Sequence, residues 1–261
     1  MPEIIVCNPP PLDSAKAGES LRMAAEMNPL NRLPDLISAA MVDDVQRAAV
    51  SNKYWGADGV DLSVSFLDNP PQELRTKILF HMNAWDTTAG GNVKFKESSN
   101  IDGADVRINR EVMADKRWRG YWSFLGTDIK VYSGPANQTM NLEAFSTSTS
   151  DAEFHRVVRH EAGHTIGLVH EHMREELVNK IDPDKAIAYY MDLTGWTEDQ
   201  VRRQVLTPHD PNSIVGTPIA DPDSIMAYHV PAEITKDNVA IAGGGDLSPA
   251  DIAFIKIVYP K

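Results

Sequence analysis

The stretch from His160 to His170, His-Glu-Ala-Gly-His-Thr-Ile-Gly-Leu-Val-His, constrains this chain more than any other. Residues four apart on a helix share a face, so His160 and His164 present two imidazoles side by side. Glu161 adjoins the first of them, and His170 follows Gly167, a residue able to take positive φ, end the helix and turn the chain back. Three neutral ring nitrogens leave one tetrahedral position open. That is the arrangement of catalytic zinc, whereas structural zinc fills all four positions, usually with some thiolates. The chain has a single cysteine, Cys7, so a cysteine-rich structural site is excluded and no intramolecular disulfide can form. Three His, one Glu and one Gly at these offsets arise by chance in roughly one chain of this length in 10⁵, so the pattern is read as Zn2+ ligation.

Composition narrows the partners. The formal net charge is −12, which argues against nucleic acid or an anionic membrane surface, since both demand clustered positive charge. No apolar run approaches bilayer length, so no membrane span is expected. Residues 1 to 11 lack the basic-then-apolar pattern of a secretory signal. With 261 residues, 42% of them hydrophobic, the chain can build a sizeable core as one large domain or as a domain with an appendage.

Along the chain, residues 1 to 34 show little periodicity and read as extended or loosely packed, and Pro34 to Val50 reads as a helix. Asp61 to Asp68 alternates as a half-buried strand, and Asn69-Pro70-Pro71 opens a helix carrying Leu74, Ile78, Met82 and Trp85, closed by Gly90-Gly91. Strands follow at Val93 to Phe95, Val106 to Ile108, Gly120 to Gly126 and Met140 to Phe145. A strand, a helix and further strands fit an α+β fold, a mixed sheet backed by helices. Ser150 and Glu153 form a capping box that starts the helix of the three-histidine motif, whose Phe154, Val157, Val158, Ala162 and Ile166 face away from the metal. Charged helices at Pro183 to Leu193 and Thr197 to Leu206, separated by Gly195, a Pro/Asp-rich loop from Pro208 to Pro222, and a terminal helix capped by Ser248-Pro249-Ala250-Asp251 complete the pattern.

HExxHxxGxxH followed by a Met-turn is the metzincin signature, and Ser224-Ile225-Met226-Ala227-Tyr228 supplies the second part. From Trp55 to Tyr259 the order of elements resembles a metzincin catalytic domain, most similar to the astacin-like branch, on Glu171 and Arg174 after the third His and on Tyr228 after Met226. The resemblance implies a five-stranded mixed sheet with backing helices and a zinc helix, above a small, mainly helical lower subdomain. It also implies a secreted zinc endopeptidase acting on proteins or peptides. In such a site zinc acidifies its water, Glu161 takes the proton as general base, and Tyr228 is a mobile fifth zinc ligand that donates to the oxyanion. Glu171 supports the mature N-terminus in that branch, and Met226 packs beneath the ligands as an apolar floor. The competing expectation is a zinc-binding recognition module that has lost catalysis. Retention of Glu161 favours the enzyme, because binding zinc does not require that carboxylate.

Residues 53–261 are thus expected to form the catalytic domain. Residues 1–52 are an N-terminal elaboration or an inhibitory pro-segment. The second option rests on Cys7, which lies in Val-Cys-Asn-Pro-Pro-Pro. Matrix metalloproteinases are held latent by a pro-segment thiolate on zinc, and by that analogy Cys7 joins His160, His164 and His170 as a ligand in a latent form only. Tyr121 to Leu125 occupies the place of the edge strand that pairs antiparallel with substrate in metzincins. His81, His155, His172, His209 and His229 have no ligand spacing and read as surface or core residues. Gly243-Gly244-Gly245 lacks the Lys-Ser/Thr of a phosphate loop and reads as a flexible turn.

Overall fold

The alternating residues Val60, Leu62, Val64 and Phe66 are all buried, and they form strand β1 (Val60–Phe66). In the computed structural model, which describes residues 7, 10, 12–32, 52–56, 58–209 and 219–261, β1 lies within a five-stranded sheet. Its partners are β2 (Val93–Glu97), β3 (Val106–Asn109), β4 (Tyr121–Ser123) and β5 (Met140–Leu142). The order is β2-β1-β3-β5-β4. Only β4 runs antiparallel, and it stands at the edge. The expected mixed sheet is present, with two strands shorter than the sequence suggests. Gly126, at φ 47°, turns the chain into a 3-10 segment after β4, and Ala144, at φ 61°, ends β5.

The first long helix after β1 spans Gln72–Met82 and is followed by a single turn at Ala84–Thr87. Its residues Leu74, Ile78 and Met82, with Trp85 beyond, are at most 1% exposed. The Trp85 indole N–H donates to the carbonyl of Arg159 at 2.9 Å, which joins this layer to the histidine-bearing helix. That helix runs through Asp151–Glu153, a π-helical turn at Phe154–Val158, and Arg159–Thr165. The terminal helix Pro249–Val258 packs Ile255 into the same core.

A second apolar cluster forms the lower subdomain around Tyr190, Trp196, Val201 and Ile234. Its main helix, Pro183–Thr194, is started by the Asp182 side chain and Pro183 and stopped by Gly195 at φ 71°. The expected helix at Pro34 to Val50, and residues 210–218 of the Pro/Asp-rich loop, lie outside the described residues.

The N-terminal region corrects the sequence reading. Residues 17–27, expected to be extended or loosely packed, form a helix, Ala17–Met27. Its buried contacts are Ala17, Ser20 and Ala24, small side chains at helical spacing. They let the helix approach a buried ion pair. Lys53 Nζ donates to Ser20 Oγ at 2.7 Å, Ser20 Oγ donates to Asp128 Oδ1 at 2.6 Å, and Lys53 lies 3.4 Å from the same carboxylate. Burial lowers Lys53 and raises Asp128 from their usual ranges, while their mutual attraction pulls each back. Downstream, Asn31 exchanges hydrogen bonds with both backbone groups of Tyr54.

Removing one member of this pair leaves a buried charge unmatched. Asp128→Ala is expected to lower the unfolding free energy in urea by about 3–5 kcal/mol, and the paired change Lys53→Met with Asp128→Leu by far less. Equal losses in the two proteins would mean that volume, not charge, governs this contact.

Candidate metal centre

The histidine-bearing helix begins at Ser150, whose hydroxyl accepts the Glu153 N–H at 3.3 Å. The reciprocal half of the expected capping box is replaced by an ion pair, since the Glu153 carboxylate holds Arg156 at 2.8 and 2.9 Å. Phe154, Val157, Val158, Ala162 and Ile166 are at most 2% exposed and belong to the main apolar core. The helix ends in a Schellman motif. Leu168 N–H donates to Gly163 and Gly167 N–H to His164, with Gly167 at φ 95°. The Trp55 indole and the Tyr259 hydroxyl take the carbonyls of Thr165 and Ile166 at 3.0 and 2.6 Å, two of the acceptors a helix end leaves unpaired.

This ending aims the ligands. His164 Nδ1 donates to the Leu168 carbonyl at 2.7 Å, a group the Schellman turn itself presents. His160 Nδ1 donates to the Ile225 carbonyl at 2.7 Å. Each contact fixes the tautomer and leaves Nε2 as a bare lone pair, the usual outer arrangement around ligating histidine. His160 Nε2 is buried with no partner, and His164 Nε2 lies 3.0 Å from His170 Nε2. Tetrahedral zinc at 2.0–2.1 Å from each nitrogen sets them about 3.3 Å apart, so the three imidazoles suit it. Burial pushes His160 down to about 4, and His164 and His170 well below the imidazole range, which keeps all three neutral.

A fourth donor joins them. Cys7, His160, His164 and His170 each offer a ligand atom, and these atoms all lie within 4.8 Å of one another. Cys7 forms an isolated parallel bridge with Tyr121 of β4, and its sulfur accepts the Ser123 N–H. The thiol donates to Glu161 Oε2 at 3.6 Å. Burial lifts the Glu161 carboxyl to about 8, against a smaller opposite pull from that thiol. Tyr228 hydroxyl donates to the Cys7 carbonyl, and its ring stacks on His172 at 4.0 Å. Cys7, Glu161, Tyr228 and the three histidines therefore meet at one point.

The Met-turn is the floor of this point. Met226 is 3% exposed, and a Cβ on Gly163 would come within 2.6 Å of its sulfur, so the helix must carry glycine there. Sequence reasoning missed what holds the turn. Asp251, visible only as a capping residue of the terminal helix, accepts Ser224 Oγ at 2.6 Å and Ile225 N–H at 2.9 Å. It thereby positions the carbonyl that orients His160. His172, expected as a surface or core residue, is a core one. It is fully buried, with Nε2 donating to the Gln204 carbonyl and Nδ1 accepting the Tyr228 N–H. Glu171 accepts the Asp221 N–H at 3.0 Å, and burial raises it to about 7. In the Gly243 to Gly245 run, a Cβ at Gly243 or Gly244 would meet the backbone of His229 or Ile225 at 2.5 or 2.4 Å, while one at Gly245 would meet nothing.

No protein-family model and no curated protein matches the chain. Among solved structures it is similar to myroilysin, with 28% identity, 80% of this chain and 96% of that chain covered, and a TM-score of 0.70. A second structure of myroilysin aligns at 28% identity, covering 80% and 86%, with a TM-score of 0.57. High choriolytic enzyme 1, a hatching enzyme zinc-protease from Oryzias latipes (medaka fish), aligns at 18% identity over 76% of this chain and 88% of that one, with a TM-score of 0.49 that carries no argument.

The full chain is expected to take up one zinc ion, and at a free zinc level a hundredfold above Kd to gain about 2.7 kcal/mol of stability. Metal analysis of His160→Ala, His164→Ala and His170→Ala should show loss of bound zinc, while His81→Ala keeps it. Full occupancy in His170→Ala would remove that residue from the ligand set.

Proposed function

We propose that this chain, which resembles the astacin-like metzincins in fold, sequence signature and donor set, is a zinc-dependent endopeptidase made in a latent form. The observation that carries the reading is the convergence of three imidazoles, two of them tautomer-fixed, with the Glu161 carboxylate beside them. When bound, zinc acidifies water and polarises a carbonyl at this point. His160, His164 and His170 hold it. Glu161 holds and moves the proton. It sits on the helix turn that carries two of the ligands, in a dry setting that raises its basicity, and it can return the proton to the leaving amine. Tyr228 has its hydroxyl within the same cluster, where a donor can reach a developing oxyanion.

Latency is supported by what Glu161 and Tyr228 now touch. Both are engaged by Cys7, one through the thiol and the other through the carbonyl. The same residue stands against the edge strand β4 in parallel orientation. Substrate is proposed to pair with the stretch Tyr121 to Leu125 in the opposite direction, so Cys7 is not presented there as a substrate residue would be. Residues 1–52 act as the inhibitory segment and 53–261 as the catalytic domain. The helix Ala17–Met27, docked on Lys53 and Asp128, is what keeps the segment in place.

A generic protein substrate should be cleaved slowly by the intact chain and much faster by Cys7→Ala, with chelator stopping both. In the Cys7→Ala background, Glu161→Ala should cut the rate by roughly 10²–10⁴. Tyr228→Phe should lower kcat by roughly 10²–10³ with little change in KM. Activity surviving Glu161→Ala sinks the mechanism, and equal rates for wild type and Cys7→Ala sink the latency.

A further inference from the structure

Tyr228 is held by its hydroxyl, its ring and its backbone, and His172 makes two of those contacts. The hydroxyl donates to the Cys7 carbonyl. The ring lies on that of His172, with centroids 4.0 Å and planes 20° apart, and the Tyr228 N–H donates to His172 Nδ1 at 3.3 Å. His172 Nε2 in turn donates to the Gln204 carbonyl at 3.0 Å, which fixes the proton on that nitrogen and leaves Nδ1 as the acceptor. Histidine is the one side chain with a donor and an acceptor on separate edges of a flat ring. Both edges are used to pin the ring, and its face is what the tyrosine rests on.

The hold on His172 comes from outside the metal centre. Gln204 belongs to the π-helical turn Arg202–Leu206, which the fully buried Val205 roots in the lower apolar cluster. Just beyond that turn, the His209 backbone N–H donates to the Met173 carbonyl at 2.9 Å. The lower subdomain thus grips two successive residues of the segment that follows the third histidine. Other groups aim the metal ligands, Ile225 for His160 and Leu168 for His164, and the ring of His170 stands further from His172, at 5.0 Å and 40°. A stacked ring keeps contact while it slides in its own plane and loses contact when it tilts away. Once Cys7 no longer holds the hydroxyl, Tyr228 therefore has one easy path, along the face of His172.

We infer that His172 is the positioning residue for Tyr228: its ring confines the tyrosine to one plane, and the lower subdomain sets that plane through the Gln204 carbonyl. The inference rests on the endopeptidase reading and adds to it the group that places the oxyanion donor. The test uses the full chain carrying Cys7→Ala, loaded with zinc, with and without His172→Gln, which keeps a donor and an acceptor and removes the flat ring. His172→Gln should lower kcat by roughly tenfold to a hundredfold, with KM and zinc content changed by less than about twofold. Added to Tyr228→Phe it should cost nothing more, because the hydroxyl it places is already gone. A residue that only supports the fold would lower kcat by the same factor in both backgrounds. Separately, tyrosine-labelled protein is examined by NMR, with the Tyr228 ring signals identified by their absence in Tyr228→Phe. They should show nuclear Overhauser contacts to the His172 ring, and in His172→Gln should move to the averaged positions of a mobile ring. The contact is read with His172 in place, so it decides the matter even if His172→Gln does not fold. It also decides it if no peptide is cut, an outcome that would count against the endopeptidase reading alone. Equal kcat losses from His172→Gln with and without Tyr228→Phe, or absence of contact between the two rings, overturns the inference.

Discussion

Three imidazole lone pairs converge among buried groups, and this unfavourable arrangement is what the rest of the molecule is built to hold. Buried polar nitrogens without partners are costly, and His160 Nε2 has none among the protein groups around it. The cost is sustained by backbone carbonyls rather than by side-chain pairs. Leu168 and Ile225 each grip an Nδ1, and each carbonyl is itself fixed, one by a Schellman turn and the other by a turn anchored on Asp251. A carbonyl cannot change charge with pH and has no rotamers, so the ligands are aimed by the least adjustable groups available. Zinc bound by such a frame need not organise it.

The site was more legible than its supports. His160, Glu161, His164 and His170 stand at fixed offsets that follow directly from helix geometry, so a single stretch of sequence contains their relation. Tyr228 and Met226 became legible through family resemblance, since nothing local links them to residues some sixty positions earlier. Asp251 was recognised only for one of its tasks. Its spacing from Ser248 reveals a helix cap, while its contacts with Ser224 and Ile225 cross 27 and 26 positions and leave no local trace.

The sheet and its backing helices were legible because their buried residues repeat at strand or helix periods. The helix Ala17–Met27 was not, because it packs by closeness and not by apolar bulk. Its apolar residues do recur at helical spacing, but the residues it buries are alanine and serine, small types that do not by themselves announce a packed face. Lys53 and Asp128 failed for the opposite reason. Charged residues are read as surface, and only the fold reveals that these two are 1% and 2% exposed and matched to each other.

The contacts that close the cleft have a kinetic consequence. Trp55 meets the Tyr259 hydroxyl across 204 positions, Cys7 meets Glu161 across 154, and Tyr228 meets the Cys7 carbonyl across 221. Contacts so remote along the chain form only after long loops have been closed, which places them late in folding and makes the whole process slow. A half-folded molecule, even one with its histidine helix complete, has no cleft. The histidine helix can therefore be complete before Glu161 and Tyr228 meet Cys7, so these two groups gain those partners only when distant parts of the chain have come together.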